Sequence, residues 1–413
     1  MSDQPRSVDI KRLVWRDPPV AKLKLPGGTL RLTLGIGSAL ARRPGDLEGR
    51  LWGLGDRGAN LKAEVAIDDY GLSHLEPLRE LKGLKLLPRP DVGPTLAELQ
   101  VGKDRVRLVR TVPLRDPAAR PISGRAPLAA SNAEMEPTFD LDGRPLPPDP
   151  GGADTEGLAA LSDGSFWVAE EYGPSLIKVA ADGQVVERWV ALGSAMTSEA
   201  VGYPVRPVLP AIAAHRRINR GFEAVTASPD ETRLHVAFQS ALDRPGDDKV
   251  AAFARIWTLD ARTGAVLAQH LYPFDPPASF RRDAEAGKVA TRDLKICELA
   301  VLPGGRLLVL ERISRTAKIY RVDLTEPPLP TAHLDAATRP SLEELDAQAF
   351  AAIPVLAKTA IFTTDAAPRV AADLEGMALI SERELILATD NDFGVEGAET
   401  SFYRLRFRRS LGA

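Results

Sequence analysis

The sequence predicts an all-β fold, a β-propeller of four-stranded blades, and three observations carry the prediction. Glycine and proline, 33 and 34 in number, are spread over all 413 residues and punctuate short β-like runs. The runs group into units that each hold a four-strand meander, the content of one blade. The units recur at a long, similar spacing, which argues for a radial array rather than separate domains.

The clearest unit is residues 153–192, ADTEGLAALSDGSFWVAEEYGPSLIKVAADGQVVERWVAL. An apolar run after Glu156 leads to a turn at Asp163-Gly164, the strands SFWVAEE and SLIKVA, a turn at Asp182-Gly183 and the strand VVERWV. A second unit starts with GFEAVTASPDETRLHVAFQS (221–240) and continues through RIWTLDARTG and AVLAQHLYPF. A third starts with KICELAVLPGGRLLVLER (295–312) and continues through AKIYRVDL and AIFTTDA. A fourth starts with DLEGMALISERELILATDND (373–392) and ends with SFYRLRF. A weaker copy, TLGIGSALARRPGDLEGRLWGLGDRG, occupies residues 33–58.

Five blades are therefore legible. Residues 59–150 contain LKAEVAID, a helix-like stretch around 75–86 and the strand-like DRVRLVRTVPL. They form either an irregular insertion or a hidden blade, and six is the favoured count. The whole chain, 1–413, reads as one domain with long insertions between strands. The last unit lacks a fourth strand. A run within residues 1–35, such as KLKLPGGTLRLTL, is expected to pair there and close the ring, removing exposed edges. Residues 334–350 read as a helix inserted in the third unit, with Ser341 as N-cap and Glu343 and Glu344 in the first turn.

An acid recurs near the start of each innermost strand: Glu156, Glu223, Glu298 and Glu375. First strands line a propeller's channel, so the four glutamates converge on one axis. Like charges that close repel unless protonated or neutralised. Ca²⁺ is the expected partner, since it accepts many carboxylate oxygens in flexible geometry. A second tier follows at the ends of the second strands: Asp56, Glu170, Glu171, Gln239, Glu311 and Asp390, with Asp392 beside it. The metal candidates are thus Glu156, Glu223, Glu298, Glu375, Asp56, Glu170, Glu311 and Asp392. Arg57 and Arg312 directly follow second-tier acids. Each either grips an anionic oxygen or pairs with neighbouring carboxylates. A structural role for the acids, tying blades together through backbone N–H groups, gives the same pattern. The metal reading is preferred because both tiers repeat among apolar neighbours, where an unpaired acid is costly.

Other function classes find little support. A net charge of −3 provides no general field for nucleic acid or an anionic membrane, and neither is expected as a partner. The basic run Arg404, Arg406, Arg408, Arg409 alternates with apolar residues as a strand with one solvated face would. One cysteine, Cys297, rules out an intrachain disulfide, and five scattered histidines make no zinc motif. Cys297 is expected to face between blades, opposite to Glu298 on its strand. Trp167, Trp189 and Trp257 are expected to pack there too. GLGDRG, residues 53–58, matches a dinucleotide fingerprint but sits at a second-strand position, without the helix that fingerprint requires. As written, the chain shows no export signal and no membrane-length apolar run, which reads as cytoplasmic.

In combination, LWGLGDRG, DTEGLAAL with FWVAEEYGP, GFEAVTASPD, and DLEGMAL with ATDNDFG resemble the phytase-like family, also described by an esterase-like activity of phytase. The resemblance spans roughly residues 30–407. It implies a propeller, usually six-bladed, with calcium, phosphoester hydrolysis and a periplasmic or secreted location. The function expected is a calcium-dependent hydrolase of phosphate esters or related esters acting as a monomer on a small anionic or ester substrate. Glu171 or Asp390 would accept the proton, and Arg57 or Arg312 would stabilise developing charge. The alternatives are a lactonase or carboxyl-ester hydrolase, and a non-catalytic propeller that binds a ligand or protein.

Overall fold

The computed structural model describes residues 8–127, 135–243, 249–325 and 327–413. Five antiparallel sheets form the ring. Blade 1 comprises Ala39–Ala41, Arg50–Leu54, Thr95–Val101 and Val106–Pro113. Blade 2 comprises Thr155–Ala160, Phe166–Glu170, Ser175–Val179 and Val185–Ala191, with Val205–Leu209 added parallel at its outer edge. Blade 3 comprises Phe222–Ala227, Arg233–Phe238, Phe253–Asp260 and Val266–Pro273. Blade 4 comprises Lys295–Val301, Leu307–Arg312, Ala317–Val322 and Lys358–Thr363. Blade 5 comprises Leu374–Ser381, Glu384–Thr389, Phe402–Phe407 and Val8–Leu13.

Each blade forms because alternating residues of its strands bury both faces against the next blade. Five apolar clusters sit between successive blades, and the fifth joins blade 5 back to blade 1 through Ala378, Ile386 and Phe402 against Leu51, Leu99 and Val106. The ring is therefore complete with five blades, not the six favoured from sequence. Tryptophans fill the widening gap between blades, as expected: Trp167 lies 4.2 Å from Trp189, and Trp257 meets Phe238 edge-on at 5.0 Å. Turns inside the blades use the residues anticipated, with Gly164 at φ 93° in the Asp163-Gly164 turn, a conformation costly for other residues.

The strand that closes the ring is Val8–Leu13, which pairs in register with Phe402–Phe407. The KLKLPGGTLRLTL run does not pair there; it folds on itself as the hairpin Pro19–Leu25 and Gly28–Thr33. Residues 95–113 supply the two outer strands of blade 1. The helix Ala63–Asp68, the 3₁₀ turn Ser73–Leu78 and that hairpin share a further apolar cluster beside the ring. The helix expected over 334–350 is broken into a 3₁₀ turn, Leu342–Glu344, and a short helix, Ala347–Phe350. Ser341 does open the turn, its N–H donating to Glu344 at 2.6 Å. Glu343 is instead buried and grips Arg255 of blade 3 with both oxygens, at 2.8 and 2.6 Å, which pins the insertion to the ring. No helix among the described residues is long and apolar enough to cross a membrane.

Candidate functional site at the channel mouth

The innermost strands carry one recurring irregularity at their starts. In blade 2 the register slips between Thr155 and Gly157, in blade 3 between Phe222 and Ala224, in blade 4 between Ile296 and Glu298, and in blade 5 between Leu374 and Gly376. The extra residue of each β-bulge is thus Glu156, Glu223, Cys297 and Glu375. Bulges re-aim side chains, and here they turn these four toward the channel mouth. In blade 1, Ser38 takes the same place between Gly37 and Ala39, both of which face Leu54.

This register changes the membership of the inner tier. Cys297, not Glu298, is the blade 4 counterpart of the other glutamates. Its Sγ and the carboxylate oxygens of Glu223 and Glu375 offer ligand atoms within 4.8 Å of one another, and Cys297 is also a buried member of the apolar cluster between blades 4 and 5, as the sequence predicted. Glu298 falls at the position of Gly157, Ala224 and Gly376. Its carboxylate accepts the backbone N–H groups of Leu40 and Leu299, both at 3.1 Å. Leu40 and Leu299 also line a funnel of about 360 Å³ at the opposite pole. Glu298 therefore sits in the neck of the channel, tying blade 4 to blade 1, which is the structural role weighed as the alternative for the acids.

The second tier sorts in the same way. One step past the second-strand residue paired just before each bulge stand Glu171, Gln239, Arg312 and Asp390, and in blade 1 Asp56 stands two steps past Leu54. Glu170 and Glu311 precede this position and point away from the mouth. Glu170 is buried against Arg188 at 3.0 Å and accepts the Ser175 hydroxyl. Glu311 binds Lys358 at 2.7 Å and the Tyr272 hydroxyl at 2.6 Å. Neither joins the acid cluster.

At the mouth, two carboxylate trios share one residue. Asp56, Asp390 and Asp392 form one, and Asp56, Asp154 and Glu156 the other, each with oxygens within 4.8 Å of one another. Oxygens bound to one Ca²⁺ at about 2.3–2.6 Å span the same width. Burial, reinforced by Asp154, pushes the Asp56 carboxyl up to about 8. Burial, with Glu375 beside it, pushes Glu223 up to about 7. Glu156, Glu171 and Asp390 lie well above the ordinary range, first from burial and then from neighbouring acids. Oε1 of Glu171 and Oε2 of Glu223 are buried without a hydrogen-bond partner. An all-oxygen donor set with mutual repulsion and orphaned acceptors fits a hard divalent cation.

The backbone around these acids is held in unusual conformations. Asn219, Asp373, Asp392 and Phe393 adopt positive φ without being glycine. Such residues cluster where the surrounding structure over-determines a functional geometry. Asn391 anchors the strained turn by donating to the Leu34 carbonyl at 3.1 Å and the Thr33 hydroxyl at 3.2 Å, which holds Asp392 at the rim.

The two arginines read from sequence are both committed to acids. Arg57 pairs with Asp154 at 2.5 Å and with Glu136, and its guanidinium lies 5.2 Å from the Tyr172 ring centre. Glu136 comes from the 59–150 segment, which therefore reaches over the mouth. Arg312 donates to Cys297 Sγ at 3.0 Å, to Asp373 at 2.9 Å and to Glu375. The sequence reading missed Asp154, Glu136, Arg220 and Lys295. Only Asp154 left a signal, two residues before Glu156.

Fold and site together define a class: a five-bladed propeller whose channel mouth gathers carboxylates from blades 1, 2, 3 and 5 and a guanidinium from blade 4. The chain belongs to the phytase-like family, described by an esterase-like activity of phytase, whose model matches residues 33–393. A protein of Arthroderma benhamiae named an uncharacterized secreted protein is 27% identical over 319 residues, 69% of this chain and 60% of that one. The chain thus spans about 60% of that relative's length. Among solved structures, the PQQ-bound aldose sugar dehydrogenase of Streptomyces coelicolor is 11% identical with a TM-score of 0.33, covering 97% of this chain and 99% of that one. The calcium-binding protein regucalcin of Agrobacterium tumefaciens is 12% identical with a TM-score of 0.35, covering 95% and 97%. Scores this low carry no argument about the site.

Proposed function

We propose that the chain is a calcium-dependent hydrolase of phosphate esters or related esters, acting as a monomer at the channel mouth. The observation that carries this reading is the pair of carboxylate trios sharing Asp56. Asp56, Asp154, Glu156, Asp390 and Asp392 would hold the cation, which when bound offsets their repulsion and polarises an ester oxygen. Glu171 belongs to neither trio, and its orphaned Oε1 is free to take a proton from an attacking water. Asp390 is spoken for as a ligand, so Glu171 is the better base of the two acids. Arg312, held by Cys297, Asp373 and Glu375, presents fixed positive charge toward the reacting group. Arg57 positions Asp154 rather than touching substrate. A secreted or periplasmic location suits a calcium site, and the Arthroderma relative is named as secreted.

The test is metal analysis of the purified protein followed by phosphatase and esterase assays with and without chelator. Asp56→Asn should lose both bound calcium and turnover, because it removes a ligand from both trios. Full turnover of a chelated sample would reject the reading. Calcium-dependent stability with no turnover on any ester would favour a non-catalytic binding propeller. The family's esterase-like description favours a second reading, a carboxyl-ester or lactone substrate, separated from the first by the same substrate panel.

A further inference from the structure

Positive charge is unevenly placed in this chain. Its net charge is −3, yet residues 8–33 carry six cations against two acids, residues 103–110 four against one, and residues 402–409 four against none. The fold brings these stretches together at the outer seam between blades 5 and 1. Val8–Leu13 is the outermost strand of blade 5, beside Phe402–Phe407, and Val106–Pro113 is the outermost strand of blade 1. Between them the chain stitches the two blades together: Val14 donates to the Asp104 carbonyl at 2.9 Å and accepts from the Val106 N–H at 3.0 Å. Strand alternation then fixes what the seam shows to solvent. Leu13 and Val106 turn into the core, so Arg12, Val14, Arg16, Arg105 and Arg107 are exposed.

Three cavities follow one another along the seam. The first, of about 650 Å³, is lined by Arg12, Arg16, Arg31, Trp15 and Thr400. The second, of about 230 Å³, is lined by Lys103, Arg105 and Arg107, and adjoins the first through the bridge between Val14 and Arg105. The third, of about 570 Å³, shares Lys103 with the second and adds Arg42, Arg404 and Arg406. Part of this charge is answered within the chain. Glu384 takes both Arg404 and Arg406 at 2.9 Å, and Asp104 takes Lys11. Asp17 is held by the Trp15 indole N–H at 2.6 Å and the Thr400 N–H at 2.9 Å. Arg12, Arg16, Arg31, Lys103, Arg105 and Arg107 form no ion pair among the described residues. The acids in the first two cavities are Asp17, Asp104 and Glu399, so these six cations outnumber them, and two of the three are already engaged. Thr400 is buried at the first cavity with a hydroxyl that has no hydrogen-bond partner.

We propose that this seam is a docking surface for a linear polyanion, an acidic polysaccharide of the uronate type whose carboxylates occupy the cavities in turn. Guanidinium forks match carboxylate oxygens, and a row of small cavities suits a thin chain carrying one charge per unit. A flat bilayer or a nucleic-acid duplex does not enter such cavities. A single-stranded nucleic acid needs aromatic faces on which bases stack. Trp15 is the aromatic residue lining the first two cavities, and it is packed edge-on against Phe402 at 5.3 Å. The surface would hold the protein on the polymer while the mouth stays open. It does not rest on the hydrolase reading above, since it shares no residue with the mouth.

The experiment is calorimetric titration of polygalacturonate into the protein, with neutral dextran as control. Chelator is present throughout, so that calcium cannot bridge polymer carboxylates to the acids of the mouth. The wild type should bind polygalacturonate and not dextran, and the affinity should fall steeply between about 50 and about 200 mM salt, as bound counterions are no longer released at a gain. The variant Arg12→Gln/Arg16→Gln/Arg105→Gln/Arg107→Gln should bind about tenfold more weakly or worse. Lysine at the same four positions should keep most of the affinity, and matched melting temperatures exclude misfolding. Removing cations elsewhere, as Arg144→Gln/Arg233→Gln/Arg262→Gln, should leave binding unchanged. No binding by the wild type, unchanged binding in the four-site glutamine variant, or an equal loss in the remote variant overturns the proposal. So does tighter binding of duplex DNA or of phosphatidylglycerol vesicles at equal charge concentration. Each of these outcomes leaves the calcium-dependent hydrolase reading where it stands.

Discussion

Glu171 and Glu298 are both buried glutamates on inner or second strands, yet their surroundings assign them opposite duties. Glu171 has an unsatisfied oxygen and a raised pKa among acids at the mouth. Glu171→Gln should lower kcat by about 10²–10⁴-fold, the usual worth of a general base, while calcium affinity measured by titration is kept. Retained kcat in that variant would remove Glu171 from the chemistry. Glu298 spends its carboxylate on the Leu40 and Leu299 amides in the channel neck. Glu298→Ala leaves those buried donors unmet and should cost about 1–3 kcal/mol in urea denaturation, with hydrolysis per folded molecule unchanged. The outcome that contradicts this assignment is loss of calcium with stability intact. From sequence these two residues were indistinguishable in kind, because both are acids at repeat positions. What separates them is a partner list made of residues far away in the chain.

At the scale of the element, the strand Val8–Leu13 is the clasp of the ring. It covers the edge of Phe402–Phe407, and Leu13 joins the cluster between blades 5 and 1. Removing residues 1–13 uncovers an unpaired strand rich in Phe, Tyr and Leu, a template for intermolecular pairing. The truncated protein should melt at a lower temperature and aggregate by light scattering. An unshifted melting temperature would show that the ring holds without its clasp. The β-bulges are the second decisive element. They present Glu156, Glu223, Cys297 and Glu375 at equivalent points, and in blade 4 they bring a thiol next to Arg312 where blades 2, 3 and 5 place an acid. Burial pushes that thiol up to about 12, so it serves Arg312 as a neutral neighbour rather than a nucleophile.

For the whole molecule, the mouth stores electrostatic repulsion that pH and cations should release. Asp56 and Glu223 titrate in the folded protein near 8 and 7, above their unfolded carboxylate values. Between the unfolded and folded values the native state binds more protons than the unfolded chain. The stability that these acids contribute to the chelated protein therefore falls as pH rises from about 4 to about 8, against a smaller opposite contribution from His235, which burial lowers to about 4. Saturating calcium should flatten or reverse that slope, because a bound cation favours the ionised acids. Melting curves across this pH range, with chelator and with calcium, check both signs. A chelated protein that gains stability over that interval would contradict the repulsion described for the mouth.

The repeated units, the four-strand meander and most of the acid ring were readable in the sequence by itself. Turn residues, strand-length apolar runs and the recurrence of Glu-Gly or Glu-Ala are local features, and a closed ring repeats its local features. The blade number was not readable. One blade is split by residues 55–94, and another borrows its last strand from the opposite end of the chain. Only the folded ring decided which member of the Cys297-Glu298 pair faces the mouth, since a single-residue slip in register exchanges the two faces of a strand. The partners of each charge were decided there too. Arg57 meets Glu136, and Glu170 meets Arg188, only because side chains distant in sequence are brought within a few ångströms by packing, and no spacing along the chain encodes that distance.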